Sequence, residues 1–95
     1  MIVELLICRL RPGKKYEDYL QLVHELRGFL KVQPGFVSHE LCVGERDWAH
    51  RVVWRSSDDA KASSQKLAET ELGWDMSELV EAEPRTFLGR RLDDL

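Results

Sequence analysis

No apolar run in this 95-residue chain approaches the roughly 20 residues that span a bilayer, so no membrane helix is expected. The longest aliphatic stretch, Ile2 to Cys8, is interrupted by Glu4 and lacks a basic leader. It reads as a buried strand rather than a signal peptide. Lysine and arginine form no block; Arg90-Arg91 is followed at once by Asp93 and Asp94, and the net charge is -3. A nucleic-acid surface is therefore not expected. Cysteine is scarce: Cys8 and Cys42 fit none of the zinc spacings. They are best read as reduced thiols in a cytoplasmic protein. His39 and His50 have no obvious third ligand beside them, which argues against a metal site. The chain also has no Ser/His/Asp order, phosphate loop or GxGxxG, so hydrolase and nucleotide readings lack support.

What is present is a folding pattern. The composition is 43% hydrophobic and 33% charged with no low-complexity tract, enough for one compact domain over residues 1–95 with one core. Residues 2–10 are aliphatic on both alternating faces except at Glu4, the pattern of a covered strand. Arg11-Pro12-Gly13 breaks that strand. From Lys14 the period changes to helical, with Tyr16, Tyr19, Leu20, Val23, Leu26 and Leu30 on one stripe, and Leu22 and Phe29 widening it.

Gln33-Pro34-Gly35 stops the helix. Residues 36–43 then alternate, with Val37, His39, Leu41 and Val43 on one face and Phe36, Ser38, Glu40 and Cys42 on the other. Residues 44–47 are a polar turn, and 50–55 form the returning strand of a hairpin. Trp48 lies in or near that hairpin and reads as a packing residue rather than a site residue, although in a dimer it could reach the partner subunit. Ser56 or Ser57 is positioned to cap a second helix over about 58–71, aided by Asp58 and Asp59. This helix carries Ala60, Ala62, Ser63, Ser64 and Ala68, so it either packs very close to a neighbour or leaves space beside itself. Gly73 is read as its end, 75–81 as a further short helical piece, and 85–92 as a last strand.

The order strand, helix, strand, strand, helix, strand implies an α+β sandwich, ferredoxin-like βαββαβ, with a four-stranded antiparallel sheet. Strands one and three should be central. Cys8 and Cys42 would then lie two strands apart, about 9–10 Å, beyond the roughly 7 Å limit for a disulfide. Two helices cover one face of such a sheet. The other face would carry Val, Leu, Phe and Cys groups, and a second copy of the chain is the expected cover.

Arg11-Pro12-Gly13 after the first strand, Pro34-Gly35-Phe36 before the second, and Trp54 followed by Ser57-Asp58-Asp59-Ala60 together resemble the antibiotic biosynthesis monooxygenase superfamily. The resemblance extends over most of the chain. It implies a dimeric α/β barrel, a homodimer with its two sheets packed face to face. It also implies a small apolar or aromatic ligand held in a pocket between sheet and helices, with Trp54 on the pocket wall. The family includes cofactor-independent monooxygenases that oxidise aromatic polyketides to quinones, for which no cofactor is expected, and haem-degrading members. The latter need an asparagine where this chain has Leu6 (or Ile7), and a histidine near Ser64. No histidine follows His50, so haem degradation is disfavoured. A second implied class is a barrel that binds, cyclises or sequesters a small apolar molecule; a third is a structural or regulatory dimer.

The candidate pocket residues are thus Leu6, Trp54 and Ser64, with Trp74 at the helix-to-helix bend as a fourth. His39, His50 and Glu40 are the acid/base candidates, since each could accept a proton if placed beside an acidic C–H or O–H. Glu4 and Glu40 interrupt apolar strands and are expected to pair with Arg51, Arg55 or Arg85 across a subunit boundary.

Overall fold

The computed structural model describes residues 1–94. In chain order the elements are β1 (Ile2–Arg9), α1 (Tyr16–Lys31), β2 (Phe36–Val43), β3 (Asp47–Trp54), α2 (Ser57–Ala68), α3 (Glu71–Leu79) and β4 (Arg85–Arg90), then a 3-10 turn at Leu92–Asp94. The strands form one antiparallel sheet in the order β2-β3-β1-β4. This is the βαββαβ α+β arrangement, with the first and third strands central. Among the described residues no helix is long and apolar enough to cross a membrane.

Residues directly opposite one another in a ladder share a face. Ile2, Glu4, Leu6 and Cys8 of β1 lie opposite Trp54, Val52, His50 and Trp48 of β3 in that order, and the helices cover that face. Tyr19, Val23, Leu26 and Leu30 are the buried stripe of α1. Tyr16 and Leu20, at the edge of the stripe, stay partly exposed. Two apolar clusters result. One joins Leu26, Leu30, Val52, Trp54 and Ala60, with Phe29 and Phe36 packed against it. The other joins Cys8, Tyr19, Val23 and Trp48. Met76 of α3 touches both.

Cys8 faces the helices beside Trp48, whereas Cys42 pairs with Ala49 on the opposite face and is exposed. The second face carries Val3, Leu5 and Ile7 in its centre, with Phe87 of β4 opposite Leu5. Phe87 is 57% exposed.

Four local features differ from the sequence pattern. A register shift between Phe36 and Ser38 inserts one residue into β2, and such a bulge changes side-chain parity. Phe36 therefore joins His39 and Leu41 on the helix side, where its ring meets Trp54 edge-on at 5.9 Å. The third strand begins at Asp47, three residues earlier than expected. Trp48 is then a core residue, 4% exposed, packed on Tyr16 and Tyr19 at 4.8 and 4.7 Å and turned away from any partner. The last strand ends at Arg90 rather than residue 92.

The fourth difference is the break after α2. It falls at Thr70, whose hydroxyl accepts from the Gly73 amide and donates to the Leu67 carbonyl. Gly73 lies inside α3 rather than ending a helix. A side chain there would collide with the Leu67 carbonyl oxygen, so the close turn between the helices requires glycine. Replacing a helical glycine by alanine ordinarily stabilises by about 1 kcal/mol. Gly73→Ala should instead lower the urea midpoint, because the collision outweighs the propensity gain.

Candidate functional site

Small residues on α2 determine where space is left. Ser56 caps the helix, accepting from the Asp59 amide at 3.1 Å while its hydroxyl donates to Asp59 Oδ2 at 2.9 Å. That anchoring sets Ala60 and Ser63 against the sheet as the buried residues of the helix. Neither side chain fills the gap between helix and strands. A cavity of about 170 Å³ remains, walled by Leu6, Leu26, Leu30, Val52, Trp54 and Leu67, with Glu4, His50, Ser63 and Ser64 among its polar groups. A cavity of roughly this size accepts a benzene ring.

Glu4 is the charged side chain of this wall. Trp54 Nε1 donates to its Oε1 at 3.0 Å, and Ser64 Oγ donates to its Oε2 at 3.2 Å. Trp54 is 1% exposed, so its indole N–H needs a buried acceptor, and Glu4 supplies it. The expected pairing of Glu4 with arginine is thus replaced by two neutral donors. Parity offered the signal: Glu4 shares its face with Leu6 and Cys8, whereas Arg51 lies on the other face.

His50 begins a second polar arrangement. Its Nδ1 is 2.9 Å from His39 Nε2, and its Nε2 is 2.7 Å from the Tyr19 hydroxyl, which reaches Cys8 Sγ at 3.3 Å. At the surface end, Arg27 Nε donates to His39 Nδ1 at 3.4 Å. The two imidazole planes are within 5° with centroids 5.2 Å apart, which together with the short N···N distance describes an edge-to-edge hydrogen bond. Arginine can only donate, so His39 Nδ1 accepts and His39 Nε2–H donates to His50 Nδ1. His50 Nε2–H then donates to the Tyr19 oxygen, and the Tyr19 hydroxyl and the Cys8 thiol share the last bond, in which either can donate.

Electrostatics follow from burial. His50 is 2% exposed. Desolvation, then the proximity of His39 and Arg27, push it down from 6.5 to about 4. His39 is lowered by desolvation and by Arg27. Tyr19 is raised by burial and then by Cys8. Burial raises the Cys8 thiol, with the Tyr19 hydrogen bond opposing and Asp47 adding to the rise. At neutral pH the row is uncharged beyond Arg27.

The residues singled out in the sequence separate into three groups. Leu6, Trp54 and Ser64 meet around the cavity, with His50. His39 stands one hydrogen bond behind His50. Glu40 is exposed on the far face of the sheet, opposite Arg51, and Trp74 is 60% exposed with its Nε1 donating to the Ala68 carbonyl at 2.9 Å. Neither lines the cavity. Among the described residues, no group of three or more His, Cys, Asp or Glu side chains is placed to hold a metal ion.

The sequence matches no protein-family model and no curated protein. Solved structures do match. SnoaB, a cofactor-independent oxygenase from Streptomyces nogalater, superposes with a TM-score of 0.81 at 14% identity, covering 96% of this chain and 92% of that one. A candidate antibiotic biosynthesis monooxygenase from Bordetella bronchiseptica gives 0.82 at 17% identity, covering 96% of each chain. A candidate monooxygenase from Shewanella loihica PV-4 gives 0.70 at 21% identity, covering 96% and 94%. The chain therefore has the fold of the antibiotic biosynthesis monooxygenase structures over more than nine-tenths of its length.

The buried histidine makes stability depend on pH. His50 is neutral in the fold down to about 4 and titrates at an ordinary 6.5 when unfolded, so the unfolded chain binds the extra proton between those values. Stability is then full above 6.5 and declines as pH falls. The loss is about 2 kcal/mol by pH ~5. Urea unfolding should record that decline, and His50→Gln should flatten the slope between 6.5 and ~5.

Proposed function

We propose that this chain is a cofactor-independent monooxygenase that works as a cytoplasmic homodimer and oxidises a small aromatic or otherwise electron-rich molecule in the cavity beneath α1 and α2. The supporting observation is the cavity itself, an apolar space with Trp54 on its wall, in a fold shared with SnoaB, a cofactor-independent oxygenase. Fold alone does not carry an activity. An enclosed apolar space beside a carboxylate is what the chemistry needs.

In such a reaction the substrate is its own reductant. A hydroxyarene gives one electron to dioxygen and releases its hydroxyl proton, leaving a ring radical and superoxide. These combine with that proton to form a hydroperoxide, which loses water to leave a new carbonyl. For 1-naphthol the products are 1,4-naphthoquinone and one water per dioxygen. The protein supplies a dry space that keeps the radical pair together, a fixed ring orientation and a proton acceptor.

The uncovered face of the sheet supports the dimer. Leu5 and Phe87 lie opposite one another in its centre, and a second copy packed sheet to sheet would remove them from water. Leu6, Trp54 and Ser64 are assigned to the substrate pocket of each subunit.

Two measurements bear on this. An oxygen electrode should record uptake with 1-naphthol, matched one to one by quinone formation. Uptake no greater than with heat-denatured protein would overturn the oxygenase assignment. Sedimentation should give twice the chain mass, and Phe87→Glu, which puts a charge in the interface, should give the single-chain mass.

A further inference from the structure

Taking the cavity as the substrate site, as proposed above, we infer that Glu4 is its specificity-determining anchor: the cavity selects a neutral one- or two-ring hydroxyarene and rejects the corresponding aromatic carboxylate. Three observations converge on this. The first is size, since about 170 Å³ holds one ring comfortably and two in a close fit.

The second is the bonding of the carboxylate. Its oxygens each accept one hydrogen bond, from Trp54 Nε1 and Ser64 Oγ. A carboxylate has about four acceptor positions, so capacity remains for a hydroxyl on the cavity side. The two existing bonds also fix the rotamer, because Trp54 is locked in the core and Ser64 sits on a capped helix. Glu4 is half-buried, with exposed Ser64 beside it.

The third is charge. Both donors to Glu4 are neutral, and among the described residues no cation is paired with it. His50, the other titratable group on the wall, has both ring nitrogens committed to His39 and Tyr19 and is held uncharged. Arg27 spends its contact on His39, behind the wall. A hydroxyl entering this space finds an acceptor; a carboxylate finds like charge and no positive partner. Like charges a few ångströms apart repel one another appreciably even near a protein surface.

The geometry also places the proton acceptor. When the ring loses an electron to dioxygen its hydroxyl becomes strongly acidic, and the proton passes along the hydrogen bond to Glu4.

The test is equilibrium binding of 1-naphthol and 1-naphthoate by calorimetry, without turnover, under anaerobic conditions. Wild-type protein should bind 1-naphthol and prefer it over 1-naphthoate by about tenfold or more. Glu4→Gln, which keeps the shape and removes the charge, should abolish that preference by admitting 1-naphthoate. Equal affinity of the wild type for the two compounds, or no binding of 1-naphthol, would overturn the anchor assignment without needing any variant to fold. A preserved preference in folded Glu4→Gln would do the same. Selective 1-naphthol binding without oxygen uptake would leave the anchor standing and remove the oxygenase assignment.

Discussion

The hydrogen bond from the Trp54 indole to Glu4 holds the cavity side of the molecule together. A buried indole N–H without an acceptor costs a few kcal/mol, and a carboxylate on a strand otherwise aliphatic needs donors as badly. Each solves the other's problem across the β1–β3 ladder. Trp54 also meets Phe36 of β2 and lies in one cluster with Leu26, Leu30 and Ala60. One side chain thus ties three strands to both crossover helices. The second carboxylate oxygen takes Ser64, so the same acid pins α2 over the sheet. The cavity survives because the helix is held at its cap and at Ser64, while the residues between are too small to close the gap.

The two faces of the sheet divide the work. The helix-covered face is packed at one end by aromatic rings, Tyr16 and Tyr19 on Trp48, and left open at the other beside α2. The row from Arg27 to Cys8 threads between these regions. It lets two histidines, a tyrosine and a thiol lie in or near the core with their polar atoms partnered, which is the condition for burying them at all. Among the described residues the opposite face has no helix, and Val3, Leu5 and Ile7 lie along its centre.

Much of the fold was legible because its signals are local. The switch from strand to helical periodicity after Pro12-Gly13, the Pro34-Gly35 stop and the Ser56 cap each follow from the backbone preferences of a few residues. Gly35 has φ 78°, a conformation that glycine adopts freely. The elements misjudged depend on distant partners. The β2 bulge appears only when Phe36 is drawn toward Trp54. Trp48 looks like a turn residue until Tyr16 and Tyr19 arrive from α1. Gly73 reads as a helix stop until Thr70, a weaker signal, is seen to make the break.

The site divides the same way. Trp54, Leu6 and Ser64 came from aligning turns with a related pattern, and their spacing carries them to one cavity. Glu4 stands out in an aliphatic strand, yet the sequence points it toward arginine partners, because a sequence shows charge and not which face of the sheet a partner occupies. The histidines were visible as residue types. Their mutual contact depends on the hairpin register, which places His39 diagonally from His50.

The row of hydrogen bonds has one further property. Every link from the guanidinium to Tyr19 points inward. The surface arginine therefore dictates which nitrogen of each imidazole carries the hydrogen, and makes the phenol oxygen three links away an acceptor. Neutralising that single exposed cation would release the whole row to run in either direction, so a choice made at the rim of the protein is carried intact to its centre.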